Sequence, residues 1–527
     1  MTEASATPAR SDATPLLDMH GITKRFPGVI ANDRVSLSVY PGEVHALLGE
    51  NGAGKTTLIS ILYGLYQPDD GTMAIRGEPV RFYSPKDAMR AGVGLVAQHF
   101  MLARRHTVAE NIALGLEPTP WWRPTRRLRH DIRDLGERYG LSVDPDATVA
   151  QLSAGEQQRV EILKALVRGA DLLILDEPTS VLTPQEAERL FDVVARMRRE
   201  GKAVIFITHK LGEVMAVADH ITVLRRGAVV GSVSKHEASP AQLAQLMVGR
   251  AVEAARVTPR HDEREVILEV REVRATNRRG NEALKGTTLQ LRQGEILGVA
   301  GVAGNGQSEL IEVLTGMRQP TSGSISLDGR DVTAYNARQL FEAGVAHIPE
   351  DRNHTGVVPS LSVEENLVLR QYRYAPYTRN GLLDARAVAA FAKVSIEAYD
   401  IATPSPQTTT SLLSGGNVQK LILARELSGE PQLIVAAHPT YGLDVSATEL
   451  THRALIAQRD RGAGVLLVSE DLDELLQLCD RIAVIFNGHI MATLPADEAT
   501  HERLGMLMAG MTDERTETAE TEEGVVA

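Results

Sequence analysis

Short, almost unbroken apolar runs recur along the chain, and each is followed by a turn that contains glycine or aspartate. Four are clear in the first half: Val44–Leu48, Leu172–Leu175, Val204–Thr208 and Ile221–Leu224. Continuous apolar residues are typical of strands in a parallel sheet that is buried on both faces. Segments with helical spacing of apolar residues alternate with these runs, so the pattern predicts an α/β fold.

The motifs of the first half return in the second half in the same order. The aligned pairs are Gly49 with Gly301 and Gln98 with Glu350, at an offset of 252, and Ser153 with Ser414, Asp176 with Ala437 and His209 with Glu470, at an offset of 261. The offset therefore changes only once along the chain. This regularity indicates duplication of a whole domain rather than a short-period repeat.

The duplication divides a chain of 527 residues, which is too long for one ordinary core. Both ends are polar or acidic, no signal-peptide core is present, and no run approaches the roughly 18 apolar residues that cross a bilayer. We expect a disordered lead-in over 1–14, a first domain over 15–250, a linker over 251–264, a second domain over 265–512 and an acidic tail over 513–527.

Composition narrows the function classes. The net charge of -12 disfavours a nucleic-acid binder. The single cysteine, Cys479, excludes a disulfide framework and indicates a reducing, cytoplasmic compartment. The one basic cluster, Arg123–Arg133, is more typical of a solvated helix face than of a nucleic-acid site.

The segment Gly49–Thr57 reads G-E-N-G-A-G-K-T-T and fits the P-loop pattern between a strand and a helix. Its glycines let backbone N–H groups surround phosphate oxygens, and the helix N-terminus adds a positive dipole end. Lys55 is expected to reach the β/γ phosphates, and the Thr56 hydroxyl to bind Mg²⁺. The candidate phosphate contacts are Gly49, Glu50, Asn51, Gly52, Ala53, Gly54, Lys55, Thr56 and Thr57.

Polar residues follow three further predicted strands of the first half. Asp176 is placed to hold Mg²⁺ through water, and Glu177 to orient or deprotonate the attacking water. Gln98 is placed to reach both the metal and the water, and His209 to contact the γ-phosphate. A turn with a helix cap is the competing interpretation of the carboxylate pair, and it is disfavoured because a P-loop accompanies it.

A further motif, L-S-A-G-E-Q-Q-R, spans Leu152–Arg159. Ser153 followed three residues later by Glu156 predicts a capping box at a helix N-terminus. A helix N-terminus capped in this way is also able to meet a phosphate group.

Together the P-loop, Gln98, L-S-A-G-E, L-D-E-P-T and T-H-K resemble the nucleotide-binding domain of ABC transporters. The string L-L-S-G-G-N-V-Q-K, at Leu412–Lys420, resembles the ABC signature even more closely. Two such domains in one chain resemble the ATP-binding subunits of bacterial simple-sugar importers, and G-V-A-H-I-P-E-D-R resembles a branch linked to nucleoside uptake. The resemblance implies two tandem P-loop ABC ATPase domains, each with a mixed or parallel sheet core and an α-helical subdomain.

The resemblance also implies two composite sites, with each ATP between the P-loop of one domain and the signature of the other. In site one, Phe26 would stack on adenine, although a merely buried phenylalanine is the competing interpretation. Asp444 would reach toward the opposite P-loop. The expected residues of site one are the P-loop set, Gln98, Asp176, Glu177 and His209 with Ser414, Gly415, Gly416 and Asn417 of the second domain.

Site two has lost its reactive side chains. Gln307 replaces the lysine, Ala437 and His438 replace the carboxylate pair, and Glu470 brings negative charge where His209 stands in the first half. The P-loop glycines of the second half remain, so nucleotide binding without turnover stays an open alternative. Site one is expected to be the working site.

The resemblance implies an ATP-hydrolysing subunit of an importer for nucleosides or simple sugars, with ATP and Mg²⁺ as cofactors. It would lie on the cytoplasmic face of the cell membrane as a peripheral protein. Its partners would be transmembrane permease subunits and, indirectly, an extracytoplasmic substrate-binding protein, with no nucleic acid.

Two rival functions compete with the importer: a soluble tandem ABC ATPase acting on ribosomes or DNA, and a scaffold that binds ATP without hydrolysing it. The short linker and the single cysteine, which cannot build zinc modules, disfavour the first rival. The intact Glu177 and His209 disfavour the second.

Overall fold

The computed structural model describes residues 14–98, 100–116, 125–180, 182, 184–250, 257, 264–302 and 304–511. They form two compact units, one within residues 1–252 and the other within residues 253–527. The expected lead-in and acidic tail, most of the expected linker and the first two residues of the basic cluster lie outside the described residues.

Strands and helices alternate through the first unit, as the apolar pattern predicts. The elements are β1 (Leu17–Phe26), β2 (Val29–Val39), β3 (Val44–Leu48), α1 (Lys55–Leu62), β4 (Asp70–Ile75), β5 (Glu78–Val80), α2 (Pro85–Arg90), β6 (Val93–Val96), α3 (Val108–Ala113), α4 (Arg126–Tyr139), α5 (Ala154–Val167), β7 (Leu172–Asp176), α6 (Pro184–Arg199), β8 (Ala203–Thr208), α7 (Leu211–Val217), β9 (His220–Arg225), β10 (Ala228–Ser234) and α8 (Pro240–Val248).

The second unit repeats this order and adds a short hairpin and one turn of π-helix at Arg352–Gly356. Its elements are β11 (Val266–Thr276), β12 (Glu282–Arg292), β13 (Ile296–Ala300), α9 (Gln307–Leu314), β14 (Ser322–Leu327), β15 (Arg330–Asp331), α10 (Ala337–Glu342), β16 (Val345–Ile348), α11 (Val363–Leu367), β17 (Thr378–Arg379), β18 (Leu382–Leu383), α12 (Ala385–Ala398), α13 (Gly415–Leu427), β19 (Leu433–Ala437), α14 (Val445–Asp460), β20 (Gly464–Val468), α15 (Leu472–Leu478), β21 (Arg481–Phe486), β22 (His489–Pro495) and α16 (His501–Met508).

Each unit is built on a six-stranded sheet, in the order β10-β9-β3-β8-β7-β6 in the first unit. Its neighbouring strands are parallel except for β10, which pairs antiparallel with β9 at one edge. The four apolar runs of the first half coincide with β3, β7, β8 and β9. The α/β prediction is therefore confirmed. A second, antiparallel sheet in the order β2-β1-β4-β5 accompanies the first.

Alternate residues of the central strands enter two different cores, because successive side chains point to opposite faces of a sheet. In β8, Ile205 and Ile207 pack in the core that contains residues of the antiparallel sheet, whereas Val204 and Phe206 pack in the core that contains α3, α5 and α6. The helices and the second sheet thus cover the two faces of the six-stranded sheet.

The carboxyl ends of the parallel strands carry the segments that the sequence marks as chemical. The P-loop follows β3, Gln98 follows β6, Asp176 ends β7, and His209 follows β8. In parallel α/β sheets, ligands bind at this edge. The topology therefore brings segments far apart in sequence to one place.

Candidate functional site

The P-loop makes a tight turn between β3 and α1 that only glycine fits at two points. Gly54 has φ of 103°, and a Cβ there would lie 2.3 Å from the carbonyl oxygen of Ala31. A Cβ on Gly49 would lie 2.4 Å from the carbonyl oxygen of Leu224. The glycines therefore let the loop pack against its neighbours and leave its N–H groups free of side-chain cover.

Lys55 lies at the start of α1 with only 7% of its surface exposed. Its ammonium group donates to the carbonyl oxygens of Gly49, at 2.6 Å, and Glu50, at 2.9 Å. Thr56 is exposed in the same helical turn. A buried cation, a glycine-rich backbone and a helix N-terminus are the features that suit a polyphosphate.

Glu177 is the centre of a side-chain cluster at the ends of β6, β7 and β8. One carboxylate oxygen lies 3.1 Å from Nδ1 of His209, and the other accepts a hydrogen bond from Nε2 of Gln98 at 2.8 Å. Its backbone N–H donates to the carbonyl oxygen of Ile207 at 2.9 Å and its φ is +46°. A non-glycine residue in this region is strained, which is typical of functional sites.

The two adjacent carboxyl groups have opposite electrostatic environments. Burial, and secondarily the charge of Glu177, raise the pKa of Asp176 to about 6, against the opposing charge of Lys55. The hydrogen bond from His209 lowers the pKa of Glu177, although burial acts in the opposite direction. Glu177 therefore remains ionised, whereas Asp176 lacks sufficient positive charge nearby.

A divalent cation suits the environment of Asp176. Within the described residues no group of three or more His, Cys, Asp and Glu side chains is arranged to hold a metal. Asp176 and the Thr56 hydroxyl would therefore supply only part of a ligand shell. Mg²⁺ is commonly bound in this way, with water and phosphate oxygens as its other ligands. The residues fit the expected Mg²⁺ without forming an all-protein cage.

Glu213, on α7, was missed by the sequence analysis. Its carboxylate accepts hydrogen bonds from Thr179, after β7, and from the Thr208 hydroxyl, at 2.8 Å, at the end of β8. It therefore ties together the two loops that carry Glu177 and His209. The repeat contained a signal for this residue, because Glu213 and its two hydroxyl partners align at the offset of 261 with Glu474, Thr440 and Ser469. Glu474 accepts the corresponding bonds from Thr440 and Ser469, at 2.7 and 2.6 Å.

Phe26 ends β1 and is half-buried rather than part of the core. It packs edge-on against Tyr66, with ring centroids 5.5 Å apart. The following strand, β2, contains Ala31 and Asn32, which touch the P-loop at Gly54. The ring therefore lies on a hairpin that also contacts the phosphate loop, which suits the expected stacking on a base.

The second unit keeps the backbone of the site but not its charges. Gly306 has φ of 110°, like Gly54, and His438 has φ of 43°, like Glu177. Gln307 is buried and bonds its own loop, donating to the carbonyl oxygen of Val302 at 3.0 Å and accepting from the N–H of Asn305 at 3.1 Å. A neutral amide thus takes the structural place of Lys55 without its positive charge.

The two signature helices begin differently. The Ser153 hydroxyl accepts a hydrogen bond from the N–H of Glu156 at 3.2 Å, and the Glu156 carboxylate accepts one from the N–H of Ser153 at 2.9 Å. This is the predicted capping box. In the second unit, Ser414 makes no such cap, and its hydroxyl instead accepts from Nδ2 of Asn417 at 2.9 Å.

The other expected residues of the second unit lie beside this helix start. Gly415 is exposed, whereas Gly416 is buried and a Cβ there would lie 3.5 Å from Cβ of Ala447. Asp444 caps α14 by accepting a hydrogen bond from the N–H of Ala447 at 2.9 Å. The segments that carry Gly416 and Asp444 therefore meet at Ala447 within the second unit.

Comparison with known proteins identifies a matching family model and several similar proteins. A family model described as ABC transporter matches residues 32–180 and 284–441. The chain is 46% identical to the glucose import ATP-binding protein TsgD13 of Haloferax volcanii, over 94% of this chain and 96% of that protein.

Two further relatives cover 94% of this chain and 98% of their own length at 45% identity. They are the nucleoside import ATP-binding protein NupA of Lactococcus lactis subsp. cremoris and the guanosine import ATP-binding protein NupO of Bacillus subtilis. No helix in the described part of the chain is long and apolar enough to span a membrane.

Proposed function

The chain belongs to the ABC transporter family as an import ATPase, and we propose that it powers uptake of nucleosides or simple sugars through one working ATP site. Similarity to glucose, nucleoside and guanosine import proteins over nearly the full chain supports these two substrate classes. The observation that carries the single-site proposal is the cluster of Gln98, Glu177 and His209, which the second unit lacks.

In the proposed reaction, Glu177 accepts the proton of the attacking water, because its carboxylate stays ionised and is held by Gln98 and His209. Lys55 exchanges its loop carbonyl partners for the β/γ phosphates. Asp176 and Thr56 would hold Mg²⁺, which supplies positive charge to the phosphates. Catalysis is then mainly positioning and charge stabilisation.

We further propose that the signature helix of the second unit completes this site across the domain pair. Its N-terminus exposes Ser414 and Gly415, and its backbone N–H groups are not occupied by a side-chain cap. Such a helix N-terminus suits the γ-phosphate. Asn417 would support Ser414, and Asp444 would reach toward the opposite P-loop.

The equivalent helix of the first unit suits a phosphate less well. There Glu156 holds its carboxylate at the helix start, where it would oppose a phosphate group. Together with Gln307 and His438, this arrangement supports a second site without turnover. Nucleotide binding there without hydrolysis remains compatible with the proposal.

We propose that the protein lies on the cytoplasmic face of the cell membrane as a peripheral subunit. Its proposed partners are transmembrane permease subunits and, indirectly, an extracytoplasmic substrate-binding protein. Met101, three residues after Gln98, is 75% exposed, and its N–H is held by the buried Glu161 at 2.7 Å. Its position shortly after Gln98 is where the resemblance places the groove that docks the permease. The proposed importer complex contains these partners and uses ATP and Mg²⁺.

Uptake measurement in the native host tests this function. Deletion of the gene is expected to abolish uptake of a labelled nucleoside or simple sugar, and wild type but not Glu177→Gln is expected to restore it. Loss of sugar uptake alone would assign the sugar class, and loss of nucleoside uptake alone the nucleoside class. Unchanged uptake of both would contradict the importer proposal and favour a soluble tandem ATPase.

A further inference from the structure

A small pocket in the first unit lies beside β6, the edge strand of the six-stranded sheet. The catalytic proposal uses none of the residues that line it. The lining includes Tyr63, Met89, Leu95, Lys164, Ala165 and Arg168.

The second unit fills the corresponding position with a side chain of its own. Glu426 is buried on α13, and one carboxylate oxygen accepts from the N–H of His347, on the edge strand β16, at 3.2 Å. The same oxygen pairs with Arg370, and the other oxygen accepts from Nε of Arg425 at 2.8 Å. Although burial opposes it, the charges of Arg425 and Arg370 lower the pKa of Glu426. One strand N–H and two guanidinium groups therefore hold one carboxylate.

The first unit has a strand N–H and a cation at the aligned positions, but it has no carboxylate at the position of Glu426. At the offset of 261, Lys164 stands where Arg425 is, and Ala165 stands where Glu426 is. Leu95 pairs with Ile174 of β7 at the register position that His347 takes in the second unit. The Leu95 N–H therefore points outward from the sheet edge, as the His347 N–H does.

The second guanidinium group is supplied from a different place in the sequence. Nη1 of Arg168 lies 3.2 Å from the sulfur of Met89. Met89 aligns, at the offset of 252, with Phe341, whose ring centroid lies 4.4 Å from the Arg370 guanidinium. Arg168 and Arg370 thus bring the same group against equivalent side chains in the two repeats.

Among the described residues, no carboxylate bonds directly to the Arg168 guanidinium group. In the described part of the chain, Arg168 donates to Met89 and to the carbonyl oxygen of Leu114, and its buried Nε has no hydrogen-bond partner. Glu161 lies one helical turn before Ala165, but its oxygens are taken by Lys164 and by the N–H of Met101. Burial lowers the pKa of Arg168, which reflects the cost of desolvating it.

We propose that this pocket binds a small-molecule carboxylate in the position that the Glu426 carboxylate takes in the second unit. The Leu95 N–H, Lys164 and Arg168 would hold the carboxylate, since charge-assisted bonds of this kind are the strong ones. Tyr63, Met89 and the Leu95 side chain form a wall that suits a short apolar body.

Saturation-transfer NMR on the full-length, nucleotide-free chain tests the site, with butyrate as the probe and n-butanol as the uncharged control. Ionic strength is held constant with sodium chloride. Butyrate is expected to bind the wild type, and n-butanol to give no comparable signal. Binding is expected to weaken at least about tenfold in Arg168→Gln, which loses a charged donor. It is expected to stay unchanged in the control Arg159→Gln, on the helix α5 that Arg168 follows.

The decisive variant is Ala165→Glu, which copies the second unit. Its own carboxylate is expected to occupy the site, abolish butyrate binding and raise the thermal midpoint. Absence of butyrate binding to the wild type, or binding to folded Ala165→Glu as strong as to the wild type, would overturn the proposal. If Ala165→Glu does not fold, unchanged binding in Arg168→Gln overturns it instead.

Discussion

Glu177 and Asp176 are adjacent in sequence, yet their surroundings drive their ionisation in opposite directions. His209 and Gln98 bond to Glu177, whereas Asp176 is buried at a strand end with only Lys55 opposing the increase in its pKa. Such divergence between neighbouring acids commonly separates two chemical roles. Here it separates Glu177, the proposed base, which stays ionised, from Asp176, the proposed metal ligand.

Replacing Glu177 by Gln tests the base. Turnover is expected to fall about 10²–10⁴-fold, because the amide cannot accept the proton of water, while ATP affinity stays within about twofold. Steady-state phosphate release and nucleotide binding are the measurements. His438→Gln, at the equivalent strained position of the second unit, is the matched control and is expected to retain full turnover. Hydrolysis by Glu177→Gln at the wild-type rate would refute the assignment.

Asp176→Asn gives a prediction about stability and pH. Because the folded-state pKa of Asp176 is raised to about 6 from 3.8, the contribution of Asp176 to stability falls as pH rises from about 4 through 6. Without nucleotide and Mg²⁺, its free energy of unfolding relative to the asparagine variant should decline by about 1–2 kcal/mol across this range. Denaturant unfolding at about pH 4.5 and about pH 7.5 measures this difference in the free energy of unfolding. A pH-independent difference would show that Asp176 is not perturbed.

At the scale of helices, the two signature serines differ in whether they cap the helix that follows. Ser153 closes a capping box with Glu156, so its hydroxyl stabilises α5. Ser414 makes no backbone cap at the start of α13, which leaves that N-terminus open to a ligand. The same residue type at aligned positions therefore has different consequences in the two units.

A pair of alanine substitutions separates these roles. Ser153→Ala is expected to lower stability by about 1 kcal/mol with little change in turnover, because a cap is lost. Ser414→Ala is expected to lower turnover about tenfold or more with a stability change below about 0.5 kcal/mol. Unfolding curves and ATPase rates of both variants provide the comparison. The reverse pattern would place the working signature in the first unit.

Elements with a continuous apolar pattern were predictable from the sequence, and those with a weaker pattern were not. The runs that form β3 and β8 are buried throughout, so they stand out in the sequence. β1 and β2 alternate buried and exposed residues with several register shifts, which blurs the signal of the antiparallel sheet. The capping box at Ser153 was predictable because it depends on residues three positions apart.

The candidate site was predictable in composition but not in its hydrogen bonding. The P-loop pattern and the strand-end position of Glu177 are local features of the sequence. The bonds to Glu177 from Gln98 and His209 depend on the order of β6, β7 and β8, which spacing alone does not determine. The repeat marks Glu213 through its alignment with Glu474, but the two hydroxyl groups that bond to Glu213 become apparent only in the structure.

At the scale of the whole molecule, duplication has preserved the backbone and removed the charges of one copy. Lys55 donates to two carbonyl oxygens of its own loop, and Gln307 donates to one carbonyl oxygen and accepts from one N–H of its loop, so both side chains have a structural use. Only Lys55 adds the positive charge that a phosphate requires. The proposed asymmetry is therefore electrostatic and leaves the two folds equivalent.

The most direct test of this asymmetry compares Lys55→Ala with Gln307→Ala in the full-length chain. Both substitutions remove a buried side chain that bonds its P-loop, so their structural costs are matched. ATP turnover of the folded proteins is expected to fall at least about 100-fold for Lys55→Ala and to stay within about twofold for Gln307→Ala. Equal losses in both variants would contradict the single working site.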